Sequence, residues 1–273
     1  MRVLNGLLAA VAVMCMVSLI GAFSMRTAGA ASGAADTTAG SPVLVELFTS
    51  EGCSSCPPAD ELLAQIGQKI PNAIVLSEHV TYWNNGGWHD PFSSDDSTER
   101  QADYVAKLGV GDGSYTPQMI VDGRYQFVGN DARAASQAIA RAAQDPEVPV
   151  RIADVKAGED RRVSFAIETD TVKSNAQLFV VVAQDEGTRH VSTGENGGRT
   201  LRHVMIARSF LNAAKIKGGG SYSGRLTVKL PDAVQGSGWH LVAFVEQGRG
   251  GPVLGAASAA VQSDNSSSTA RAE

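Results

Sequence analysis

A change of texture near residue 147 constrains this chain more than any other feature. Up to residue 145, short β-branched runs alternate with segments of helical periodicity. From Val148 onward, β-like segments follow one another between glycine-rich turns such as "GENGG" and "KGGGS", with residues 208–215 as the one stretch that also reads as a helix. Alternation of the first kind argues for an α/β layer with a partly parallel sheet, and closely spaced short strands argue for a β-sandwich. The expectation is therefore an α/β domain over residues 42–146 followed by an all-β, sandwich-like domain over 147–262. No internal repeat interrupts this division.

Within the first half, "PVLVELF" (42–48) reads as a buried strand. A helix is expected over 57–70, where Leu62, Leu63, Ile66 and Ile70 recur at helical spacing and Asp60 and Glu61 occupy the dipole-favoured first turn. A second strand covers 73–80. The loop 81–96 carries Trp83, Trp88, His89 and Phe92 between glycines, and loops of that length inside compact domains are often functional. A helix follows over 97–109, with Asp96 and Glu99 spaced as a capping box and Gly109 as its stop. Asp122-Gly123 marks a hairpin within 115–129, and an alanine-rich helix spans 131–145.

The N-terminus reads as a targeting segment. Arg2 precedes a long apolar run, and Ala28 and Ala30 fit the small-residue pattern of a signal-peptidase site. Residues 1–30 are read as a signal peptide, 31–41 as a flexible linker and 263–273 as a disordered tail. The run is also long enough for a bilayer span, so an uncleaved anchor is the alternative, and the membrane enters only through this segment. Either way the expected location is periplasmic or secreted. The formal net charge of −5 offers no basic field for nucleic acid.

Of three cysteines, Cys15 lies in the apolar run as filler, which leaves Cys53 and Cys56 as a Cys-Ser-Ser-Cys pair. A stapled scaffold would spread its bridges along the chain, whereas one close pair in an oxidising compartment points to redox chemistry. Pro57 and Pro58 fit only a first helical turn, so the pair stands at a helix N-terminus, where backbone N–H groups and the dipole favour a thiolate. Cys53 is expected to attack and Cys56 to resolve. Glu51 would oppose the thiolate if turned towards it. Thr116-Pro117 opens the strand after the second helix; a cis bond there would turn the Thr116 backbone towards the sulfurs to hold an extended substrate.

Strand, Cys-x-x-Cys, helix, strand, helix and Thr-Pro in this order resemble the thioredoxin fold over roughly residues 42–145. The segments "VELFTSEGCSSCPPAD", "SEHVTYWNNGGWHDPF", "ERQADYVAKLG", "YTPQMIVDGR" and "GENGGRTLRHVMIAR" more closely resemble an exported bacterial thioredoxin-like family, the domain of unknown function 1223. The resemblance implies a thioredoxin-like α/β domain followed by the sandwich-like one. It also departs from ordinary thioredoxin in its Ser-Ser spacer, its paired prolines and its inserted tryptophan-rich loop.

The functional expectation is thiol–disulfide exchange on a protein or small-molecule thiol, needing a redox partner and no bound cofactor. Cys53 and Cys56 are the catalytic candidates, and Thr116 and Pro117 the substrate-binding ones. Glu46, inside the first strand, would relay protons if buried, or touch solvent at the sheet end. His79 would assist as acid or base, or serve as a hydrogen-bonded structural residue. Trp83 and Trp88 would line a groove or pin the long loop. No metal site is assigned. The rival reading is a binding module: a copper or zinc carrier using Cys53, Cys56 and His79, or an adaptor working through the second half. Arg199, Arg202 and His203, alternating on a strand, read as a solvated face and stay outside the site.

Overall fold

The computed structural model describes residues 42–262. The expected signal peptide, linker and tail lie outside the described residues. The elements in chain order are β1 (Val43–Thr49), α1 (Pro57–Lys69), β2 (Ala73–His79), a short 3-10 turn (Thr81–Trp83), α2 (Asp95–Leu108), β3 (Gln118–Val121), β4 (Tyr125–Val128) and α3 (Ala132–Ala142). There follow β5 (Val150–Ala157), β6 (Arg162–Thr169), β7 (Ala176–His190), β8 (Thr200–Ile216), β9 (Tyr222–Lys229), β10 (Trp239–Glu246) and β11 (Val253–Ala260).

Each helix begins for a local reason. α1 starts with its two prolines at the first two positions, with Cys56 as its N-cap residue. α2 starts two residues earlier than the Asp96–Glu99 spacing suggests, because Ser94 is the N-cap: its hydroxyl accepts from the Ser97 N–H at 3.1 Å. Gly109, at φ 66°, closes α2 as expected. Asp131 caps α3 by accepting from the N–H groups of Arg133 and Ala134. The Asp122-Gly123 turn links β3 and β4 with positive φ at both residues, and because Val121 pairs with Tyr125 the loop holds three residues rather than two.

The sheet overturns the expected fold class. The strands form one mixed eight-stranded sheet in the order β11-β10-β7-β8-β2-β1-β3-β4, with a separate three-stranded sheet β5-β6-β9. The molecule is mostly β, with three helices among the described residues. It is not a thioredoxin-like α/β domain followed by a β-sandwich, because β8 runs parallel to β2 and pairs with it at Ser77↔Ile206. Residues of the second half thus complete the sheet begun by the first. The physical reason is edge satisfaction: without β8, β2 would present a row of unpaired backbone groups. Periodicity in the sequence reports which face of a strand is buried, and not which strand lies beside it. Residues 208–215, also readable as a helix, belong to β8, which pairs with β7 from Ala176↔Ile216 to His190↔Thr200.

Alternation along the strands assigns the packing. Val43, Val45 and Leu47 of β1 face α1 and α3, sharing a core with Ala59, Leu63, Ile66, Ala135 and Ile139. Leu44 and Phe48 face the other way, Leu44 towards Val181 and Phe244 and Phe48 towards Tyr104 of α2. The three-stranded sheet covers β7 and β10 through Val163, Phe165 and Ile167, packed with Leu178, Val180, Leu241 and Ala243.

Glu46 shares the Leu44 and Phe48 face of β1 and meets Arg100 of α2 there. Arg100 also pairs with Glu246 of β10 at 3.1 Å and approaches Glu78 of β2 at 3.7 Å, while Tyr104 donates to the second Glu46 oxygen. One guanidinium therefore ties α2 to three strands from both halves of the chain. Burial pushes Glu78 well above the usual carboxylate range and Glu246 up to about 7, each partly offset by Arg100.

Candidate active site around the Cys53–Cys56 disulfide

Beyond β1 the chain turns through residues 50–56 into α1. The Cys53 N–H donates to the Ser50 carbonyl and the Cys56 N–H to the Cys53 carbonyl. Cys53 and Cys56 are joined as a disulfide, with their Cα atoms 5.4 Å apart. Both are fully buried, whereas the intervening Ser54 and Ser55 are exposed. The helix terminus offers the sulfurs less than its position suggests. Pro57 and Pro58 carry no N–H, and the N–H groups of Ala59 and Asp60 both go to the Cys56 carbonyl, at 2.8 and 3.1 Å.

The cysteine loop is covered by the connection between β7 and β8. The Asn196 amide donates to the carbonyls of Glu51 and Cys53, both at 2.9 Å, and is itself held by Arg199 at 2.7 Å. The Glu195 carboxylate accepts from the Ser54 N–H at 3.1 Å and from its hydroxyl at 2.6 Å. The Thr193 hydroxyl donates to the Gly87 carbonyl in the tryptophan-rich loop. Residues 193–196, overlapping the "GENGG" stretch read from the sequence as turn residues, are thus fastened by hydrogen bonds to the motif and to the tryptophan-rich loop.

Beneath the loop lies a buried cluster of ionisable groups. His203 of β8 stands between two carboxylates, its Nε2 3.4 Å from Glu51 and its Nδ1 3.7 Å from Asp60. These are ion-pair separations, and neither ring nitrogen makes a hydrogen bond. Burial alone would lower the His203 pKa, but Asp60, Glu51 and Asp90 outweigh it and lift it to about 10, so the ring is a buried cation at neutral pH. His79, at the end of β2, stacks edge-on to His203 at 4.6 Å between centroids and pairs through Nδ1 with Asp90 at 2.6 Å. Asp90 also accepts from the Glu51 N–H at 2.8 Å. Burial would raise its pKa, but the paired His79 and the Glu51 and Phe92 N–H groups bring it down to about 2. The Thr49 hydroxyl donates to Asp60.

The aromatic loop joins this constellation. Trp88 donates its indole N–H to Glu51 at 2.8 Å, and Trp83 donates to the Thr116 hydroxyl at 2.7 Å. Trp83 also lies against the motif, since a Cβ built on Gly52 would come within 3.1 Å of the Trp83 Cβ. The Thr116-Pro117 bond is cis. Gly129 lets this loop approach the first turn of α1: a side chain there would meet Leu47, Pro117 and Ala59 at 2.7, 3.0 and 3.2 Å.

Of the residues singled out from sequence, Cys53, Cys56, Thr116, Pro117, Trp83, Trp88 and His79 gather around this loop. Both tryptophans are half-buried and hydrogen-bonded within it. Glu46 does not join them: it faces α2, and both its oxygens are taken by Arg100 and Tyr104. The sequence places His203 with Arg199 and Arg202 on a solvated face, yet it is 1% exposed and central to the cluster. The signal was present in its spacing, because His203 shares the parity of the buried Leu201 while Arg202 points out. Asn196 and Glu195 left no such signal. Among the described residues no group of three or more His, Cys, Asp or Glu side chains is arranged to hold a metal ion.

A family model described as "Protein of unknown function (DUF1223)" matches residues 44–246. No curated protein matches the chain by sequence. Among solved structures, the chain is similar to the crystal structure of a protein from Agrobacterium tumefaciens, with 29% identity and a TM-score of 0.62 over 80% of this chain and 94% of that one. It is also similar in fold to HBP35 of Porphyromonas gingivalis, with 16% identity and a TM-score of 0.59 over 86% of this chain and 79% of that one.

Proposed function

The chain belongs to the family described as protein of unknown function DUF1223, and for this member we propose thiol–disulfide exchange through the Cys53–Cys56 pair. The observation that carries the reading is the buried ionisable cluster beneath the disulfide. A bridge closing so short a loop adds little as a structural clasp. Burying Glu51, Asp60, Asp90, His79 and His203 beside it costs far more than such a clasp needs, and perturbed ionisable groups of this kind concentrate at functional sites.

A thiolate of the substrate attacks Cys53 Sγ, and the S–S electron pair passes to Cys56 Sγ, which takes up a proton. A second substrate thiol loses its proton and attacks the substrate sulfur of the mixed disulfide, which releases the Cys53 thiolate. The substrate, entering as one thiolate and one thiol, has then lost two electrons and one proton, and the cysteine pair, left as the Cys53 thiolate and the Cys56 thiol, has gained both; the reverse sequence reduces a substrate disulfide. A separate redox partner resets the pair, and no bound cofactor takes part. Because both sulfurs are buried, attack requires the loop to open, and release of the Asn196 amide from the Glu51 and Cys53 carbonyls would free it. Thr116, bonded to Trp83 and followed by Pro117, offers its backbone to an extended substrate. An oxidising compartment outside the cytosol, the destination read from residues 1–30, suits this chemistry.

Equilibration with glutathione buffers, read by alkylation and intact mass, tests the proposal. The pair should interconvert reversibly between disulfide and dithiol in the folded protein, and Cys56→Ser should accumulate a mixed disulfide on Cys53. A pair that stays oxidised at every glutathione ratio until the protein unfolds would overturn it.

A further inference from the structure

We infer that His203 is the positioning residue of the cysteine pair: its imidazolium, sent in from β8, counters the carboxylates that bracket the cysteine loop and so makes a thiolate tolerable there. The inference rests on the exchange reading above. It starts from what the motif lacks. The Ser-Ser spacer carries no charge, the prolines remove two N–H donors, and the next two donors are spent on the Cys56 carbonyl. Acids meanwhile press on the loop from both ends. Glu51 precedes Cys53 by two residues, and Asp60 follows Cys56 by four with its N–H bonded to the Cys56 carbonyl. A thiolate added to Glu51, Asp60 and Asp90 alone would be strongly disfavoured in a buried setting.

His203 answers both ends at once, with one ring nitrogen towards Glu51 and the other towards Asp60. The groups facing the ring are Glu51 from the cysteine loop, Asp60 from α1, Asp90 from the tryptophan-rich loop, and His79 from β2, with Phe92 closing the remaining side at 5.6 Å. Gly187 of β7, paired with His203, leaves space for Phe92 to pack there, since a Cβ at that position would come within 2.6 Å of Phe92 and 2.9 Å of Ile206. The lifted His203 pKa agrees with a ring that stays charged across the range in which thiols titrate.

The test is the glutathione equilibrium constant and the Cys53 alkylation-rate pH profile, measured on wild type, His203→Gln, Glu51→Gln and Asp60→Asn. Removing the cation should favour the disulfide by about tenfold, about 30 mV for a two-electron couple, and raise the thiol pKa. Removing either acid should act in the opposite sense, favouring the dithiol by several-fold and lowering the thiol pKa. A loss of packing alone would not reverse sign between these variants. If His203→Gln fails to fold, the two acid variants decide: both shifted towards the dithiol supports the inference, and no shift in either overturns it. Folded variants that all move the same way, or none that moves beyond twofold, also overturn it while leaving the exchange reading standing. A wild-type pair inert to glutathione would instead remove both.

Discussion

The Arg100 cluster and the His203 cluster both bury several carboxylates against β1, on opposite faces of the strand: Glu46 turns towards α2, and Thr49 reaches Asp60 on the α1 side. They differ in the cation. Arg100 has five donors and hydrogen-bonds Glu46, Glu246 and Tyr104, and its charge is fixed. His203 has two donors, bonds to neither neighbour, and owes its charge to a proton that can leave. In the first cluster the surplus acids, Glu78 and Glu246, are held towards their neutral forms by burial. In the second, Asp90 is held ionised, and the proton sits on the ring. The first arrangement suits a joint between parts of a sheet, whereas the second suits a place where charge comes and goes beside a disulfide.

Three experiments press on that contrast. The largest effect is expected from Arg100→Met, which strips the partner from Glu46 and Glu246 and should cost ~3–5 kcal/mol in urea unfolding, while the glutathione equilibrium of the folded fraction stays at its wild-type value. A shifted equilibrium would mean that the two clusters are coupled and the contrast is false. Asn196→Ala comes next. It leaves the Glu51 and Cys53 carbonyls without their donor, should cost ~1–3 kcal/mol, and should speed reduction of the disulfide by dithiothreitol several-fold. Unchanged reduction kinetics would show that the 193–196 segment is not what limits access.

The smallest effects lie in the pH dependence of stability. Glu246 has a folded pKa raised from 4.5 to about 7, so its stabilising contribution is complete below 4.5 and is lost as pH rises through about 7. His203 is raised from 6.5 to about 10, so its contribution is complete below 6.5 and is lost as pH rises through about 10. Thermal melts from pH 5 to pH 10 should therefore show stability falling over two stretches. Glu246→Gln should flatten the lower one, to which Asp122 and Glu147 also contribute, and His203→Gln the upper one. If His203→Gln left the upper stretch intact, the ring would not be the cation of its cluster.

Local features were legible in the sequence because they depend on neighbours along the chain. Pro57 and Pro58 locate the start of α1, Gly109 the end of α2, and Asp122-Gly123 the hairpin. The two-residue spacing of the cysteines brings them into bonding distance without help from elsewhere. What failed depended on distant pairing. Nothing in "HVMIARSF" says that its strand will lie along β2, so one sheet was read as belonging to two domains. Glu46, inside β1, is buried as a proton relay would need, but the partners that take its oxygens, Arg100 and Tyr104, lie more than fifty residues on. His203 was passed over for the converse reason: its partners Glu51 and Asp60 lie more than a hundred residues upstream, and only the fold brings them together. The parity His203 shares with the apolar Leu201 was its one local signal, and no local rule said what the ring would pack against.

The distance along the chain between Asn196 and Cys53, 143 residues, has a consequence for the order of events during synthesis. A polypeptide made from its N-terminus presents the cysteine loop long before Glu195 and Asn196 exist to bond it, and before His203 arrives to face the acids on either side. The cysteine loop therefore stays uncovered as long as the chain is incomplete, and is closed over only once β8 has joined the sheet.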